Sequence, residues 1–139
     1  MNMSRENEKD FASEFVPYGL AMRMKRLGYN KPSLGYFDDN GWLEIKVIRS
    51  SIFVEVDDCC LAPTWQSAFE FFRDKYNLWH RVIKENGYSE HWSEIEDLMF
   101  PRRYSKDYLY IRGSVESYYE AQLRCLDKLL DIVEKHKSE

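Results

Sequence analysis

Residues 34–48 read LGYFDDNGWLEIKVI. At the centre stands Asn40-Gly41, the pair that most readily supplies the two positive-φ residues of a type I′ turn. The flanks, 34–38 and 42–48, therefore read as the arms of a β-hairpin. On the second arm Leu43, Ile45 and Val47 alternate with Trp42, Glu44 and Lys46. That period of two suits a strand with one buried face. Beyond it, 51–58 carries Ile52, Phe53, Val54 and Val56, and reads as a third strand or an irregular edge.

Helices are expected on both sides of this hairpin. Before it, Pro17 suits the first position of a helix because its missing N–H would be unpaired there. Leu20, Ala21, Met24 and Leu27 then recur at helical spacing, and Gly28 reads as a left-handed cap with Pro32 barring resumption. After it, a helix starting near Pro63 places Trp65, Ala68, Phe69, Phe72 and Tyr76 in one aromatic stripe.

The second half repeats the theme more loosely. Residues 79–84 and 91–97 flank Asn86-Gly87 and read as a second hairpin. Residues 108–111 read as a further short strand, and 99–107, with Pro101 and Arg102-Arg103, as a loop. Ser117-Tyr-Tyr-Glu120 fits a capping box at the head of the last helix. Its apolar face runs through Tyr118, Ala121, Cys125, Leu126, Leu129, Ile132 and Val133. Lys135, His136 and Lys137 complement the negative end of its dipole. The expected order is α-ββ-α-ββ-α with extra edge strands. This is an α+β fold, a small antiparallel sheet with helices packed on it.

Composition bounds the rest. A chain of 139 residues fits one domain, with 1–10 as a frayed lead-in. Net charge is −4, which argues against a strongly basic nucleic-acid clamp. Mean hydropathy is −0.62, and no apolar run approaches the roughly 20 residues of a membrane span. The polar start lacks the pattern of a secretory signal. Three cysteines, Cys59, Cys60 and Cys125, form neither a disulfide framework nor a C-x-x-C pair, so a reducing cytoplasm is the expected setting. Four Trp, 10 Tyr and 8 Phe exceed what a domain of this size readily hides, so part of this aromatic surface should mark a partner site.

Several patterns together resemble a known family. They are Pro17-Tyr18 with Ala21, Lys25, Leu27-Gly28 and Pro32; Gly35-Tyr36; and Ala62-Pro63 with Gln66, Ala68-Phe69 and Phe72-Arg73-x-Lys75-Tyr76. The last is Ser117-Tyr118-x-Glu120-Ala121 with Cys125-Leu126, Lys128-Leu129-Leu130 and Ile132-Val133. The arrangement is similar to a family of small uncharacterised proteins from Bacteroidetes genomes and their phages or prophages, over roughly 16–135. The resemblance implies a phage-related or mobile-element origin. It supplies no catalytic residues.

The enzymatic candidates are few. Asp39 followed by Glu44-x-Lys46 on an apolar strand is similar to nucleases in which carboxylates hold Mg²⁺ and a lysine stabilises charge at the attacked phosphate. The tight turn between the acids counts against it, and a solvated Glu44/Lys46 pair is the simpler account. His80, His91 and Glu94 are candidate metal ligands only if the second hairpin makes them converge. Cys59 or Cys60 with His80 lacks anything that lowers the thiol pKa, and Asp57-Asp58 beside them raises it. No metal or cofactor is expected. Trp79, Trp92, Tyr108 and Tyr110 lie outside the helical stripes and are the candidate binding residues. Arg102-Arg103-x-x-Lys106 offers phosphate contacts, but the charge balance weighs against nucleic acid. The expectation is a non-enzymatic module that binds another protein or itself.

Overall fold

A computed structural model describes residues 12–48, 60–84, 91–97, 108–115 and 117–138; for 46–48, 108–115 and 137–138 it describes the backbone alone. The expected strand at 51–58, the loop at 99–107 and the turn at Asn86-Gly87 lie outside the described residues. The chain divides into two compact units, Met1–Ala68 and Phe69–Glu139.

In the first unit a 3-10 turn at Ala12–Glu14 leads to Phe15, which bridges Thr64. Helix α1 spans Tyr18–Arg26. Pro17 stands just outside it as the N-cap, with its carbonyl accepting from the Ala21 N–H at 2.9 Å. Gly28 takes φ 94°, the Gly28 N–H donates to the Lys25 carbonyl, and the Tyr29 N–H donates to the Met24 carbonyl. These two bonds are a Schellman motif, and they satisfy carbonyls the helix end would otherwise strand.

Strands β1 (Ser33–Phe37), β2 (Leu43–Ile48) and β3 (Cys60–Leu61) form an antiparallel sheet in the order β2-β1-β3. The hairpin lies where Asn40-Gly41 put it, but its turn is not type I′. Gly41 takes φ 80°, whereas Asn77 is the one non-glycine residue with positive φ among the described residues. The Gly41 N–H donates to the Asp38 carbonyl, and the Asp38 N–H to the Trp42 carbonyl, both at 3.0 Å. This is a type I turn followed by a left-handed glycine, the three-residue hairpin loop. Asp38 decides it, because its Oδ1 accepts from both the Asn40 and Trp42 N–H groups at 2.9 and 3.0 Å. Gly35 lets the strands close: a Cβ there would sit 2.7 Å from the Glu44 carbonyl oxygen, beside a bulge.

Helix α2 (Trp65–Tyr76) starts where Thr64 caps it, its Oγ1 accepting from the Ser67 N–H at 3.2 Å. The boundary between the units falls within this helix. The whole expected stripe, Trp65, Ala68, Phe69, Phe72 and Tyr76, is buried, and so is Phe71. Asn77, at φ 55°, ends the helix.

In the second unit β4 (Leu78–Lys84), β5 (His91–Asp97) and β6 (Tyr108–Val115) form an antiparallel meander in the order β4-β5-β6. Helix α3 (Tyr118–Ser138) lies across all three strands. The Ser117 hydroxyl caps it, accepting from the Glu120 N–H at 3.0 Å. Ala121, Cys125, Leu126, Leu129, Leu130 and Val133 are buried, whereas Tyr118, expected on the apolar face, is exposed. Among the described residues, six strands and three α-helices follow the expected α+β order. The strands form two three-stranded sheets, and β3 and β6 are the extra edges.

Candidate functional site

Register sorts the second sheet into two faces, because residues directly opposite on antiparallel strands share a face and neighbours along a strand alternate. Leu78/Asp97, His80/Ile95, Val82/Ser93 and Lys84/His91 are opposed pairs on one face. That face meets the helices: Ser93 hydrogen-bonds Cys125 of α3, His91 meets the Tyr118 ring edge-on at 5.9 Å, and His80 stacks on Phe69 of α2 at 3.5 Å.

Trp79/Glu96, Arg81/Glu94 and Ile83/Trp92 are the opposed pairs of the other face. On the third strand Tyr108 is opposite Glu96 and Tyr110 opposite Glu94. The four candidate binding positions thus fall in adjoining cross-strand rows, on the side away from α3. Trp79 is 46% exposed, and Trp92 is half-buried. The Trp79 indole N–H donates to Asn77 Oδ1 at 3.2 Å, and the Arg73 guanidinium lies 5.4 Å from its ring centroid. These contacts fix the ring with a large surface still in solvent.

Sequence reading missed what lies between the aromatics. The Arg81 Nε–H donates to Glu94 Oε2 at 2.6 Å, and Glu94 is buried whereas Arg81 is largely exposed. A buried carboxylate needs such a partner. Arg81 is two residues from Trp79 and Ile83, so strand alternation signals the shared row once the strand is accepted.

The enzymatic candidates disperse. Asp39 is exposed in the turn, beyond the last ladder pair, whereas Glu44 is half-buried opposite Tyr36. Neighbouring Asp38 spends its carboxylate on backbone N–H groups. Lys46 is in β2, where the backbone alone is described. His80 and His91 share the helix-covered face, but Glu94 belongs to the opposite one and is paired with Arg81. No group of three or more His, Cys, Asp or Glu is placed to hold a metal among the described residues. Cys60 is buried in β3, and Cys59 and Arg102, Arg103 and Lys106 lie outside the described residues.

Two titrating groups are displaced by their surroundings. Burial, aided by the Arg73 cation, pushes the His80 imidazole down to about 4. At neutral pH it is an uncharged ring stacked on Phe69. Burial pushes the Cys125 thiol up to about 12, against the opposing hydrogen bond from Ser93. A thiol held protonated is a poor nucleophile. No helix among the described residues is long and apolar enough to cross a membrane. Comparison with family models, curated proteins and solved structures yields no match.

Proposed function

We propose that this chain is a non-enzymatic protein-interaction module of the cytoplasm, in the phage or mobile-element setting that its sequence resemblance implies. It binds through the face of the second sheet opposite α3. The observation that carries this reading is the alignment of Trp79, Ile83 and Trp92 with positions 108 and 110 on the side opposite the helices. Flat aromatic rings bring large contact area at low entropy cost, and such rings dominate interface energetics. The Arg81–Glu94 pair at the centre gives the surface a polar feature a partner can register on.

The test is to size the chain by light scattering and to use it as bait for protein partners, beside Trp79→Ala and Trp92→Ala. The wild-type chain should self-associate or retain a partner that both variants lose. A strictly monomeric chain that retains nothing contradicts the proposal. Cleavage of DNA or RNA in Mg²⁺, abolished by Glu44→Ala, would replace it with the nuclease reading.

A further inference from the structure

The tip of the first hairpin carries a reactive pair. Asn40 is exposed and precedes Gly41, which has no Cβ to hinder approach to its backbone nitrogen. We propose that Asn40 is a site of spontaneous deamidation that Asp38 holds in check. In the first step the Gly41 nitrogen bonds to Asn40 Cγ and the Cγ–Nδ2 bond breaks. The nitrogen leaves as ammonia, carrying away the proton that Gly41 gives up, and a succinimide remains. Water then opens this ring at either carbonyl. One opening gives aspartate; the other gives isoaspartate, with the backbone rerouted through the side chain and one methylene longer.

The turn and the Tyr18 ring beside it oppose the first step in four ways. The attacking nitrogen is engaged, because the Gly41 N–H donates to the Asp38 carbonyl at 3.0 Å. Ring closure must swing Asn40 out of the near-zero ψ of its type I position, and that rotation breaks this bond. The backbone on both sides is tied to one carboxylate oxygen, with the Asn40 and Trp42 N–H groups on Asp38 Oδ1 at 2.9 and 3.0 Å. That carboxylate's negative charge also disfavours the deprotonated nitrogen that must attack. Finally, the Tyr18 ring lies against Gly41, so that a Cβ there would be 3.0 Å from Tyr18 Cδ2, and the glycine has little room to move. Isoaspartate lengthens the loop where the Asp38 N–H and the Trp42 carbonyl close it.

Peptide mapping by mass spectrometry, after timed incubation of the full chain, measures aspartate and isoaspartate at position 40. The arms are folded wild type, denatured wild type, Asp38→Ala and Asp38→Asn, with circular dichroism as the control for folding. Asn86-Gly87 in the same digest is an internal clock. Conversion at Asn40 should be about fivefold or more slower in the folded than in the denatured chain. Asp38→Ala should remove most of that protection, with no matching change at Asn86, and Asp38→Asn, which keeps an acceptor oxygen, should stay closer to wild type. Equal rates in folded and denatured wild type overturn the proposal. So does a folded Asp38→Ala chain that converts no faster. Should Asp38→Ala not fold, the folded-to-denatured ratio of the wild type still decides.

Discussion

His80 shows how far a side chain's role depends on what packs against it. In the sequence it stands as a candidate ligand or base; in the structure it is a ring stacked on Phe69 and held neutral. Its folded pKa of about 4 lies below the ordinary 6.5, so the unfolded chain binds the proton more readily. Its contribution to stability is therefore complete above about pH 6.5 and is lost as pH falls toward 4, amounting to about 3 kcal/mol. Urea unfolding at several pH values should show this slope in the wild type and a flatter one in His80→Phe, which keeps a ring against Phe69. Identical slopes would remove His80 from the account. Gly35 is a second case. A methyl group 2.7 Å from the Glu44 backbone oxygen has no flexible neighbour to displace, so Gly35→Ala should cost about 1–3 kcal/mol in denaturant unfolding. The sequence showed a glycine in a strand, but the closeness of the neighbouring backbone emerges only with the register.

Helix ends and hairpins were legible because their signals are local. Pro17, Gly28 and Ser117 mark ends that form within a turn of chain. Gly28→Ala forces a Cβ into φ 94° and should cost about 1 kcal/mol, measured by thermal melting. Asn40-Gly41 located its hairpin but not its turn type, since an aspartate two residues earlier offered the backbone a better acceptor. Thr64 and Asn77 went unread as the boundaries of α2, though Thr-x-x-Ser and a terminal asparagine are both recognisable stop and start residues. The Arg81–Glu94 pair was invisible because its partners are thirteen residues apart on different strands. Arg81→Ala leaves a buried carboxylate without this partner and should destabilise the chain by about 2 kcal/mol, less in Glu94→Gln.

Periodicity identified the α+β class and nearly every buried stripe, including all five expected positions of α2. It did not show that the strands divide into two sheets. A period of two says that a strand has two faces and is silent about its neighbours. A two-residue strand such as β3 has no period at all. The candidate binding positions were legible as aromatics left over from the helices, and their common face became evident only from the pairing of β4, β5 and β6. The same pairing sets the candidate binding rings apart from the rings of the core. Phe69, Phe72 and Tyr76 are buried, whereas Trp79 is exposed and Trp92 half-buried.

That division can be measured in one paired experiment, with Leu129→Ala and a Trp79→Ala/Trp92→Ala chain compared for denaturant stability and for association by light scattering and partner retention. Leu129 is fully buried, and its truncation should cost about 2–5 kcal/mol while the chain that remains folded still associates. The double tryptophan variant should fold with a loss of about 1 kcal/mol or less and fail to associate. A double variant as unstable as Leu129→Ala, from a parent chain that binds neither itself nor another protein, would contradict the account.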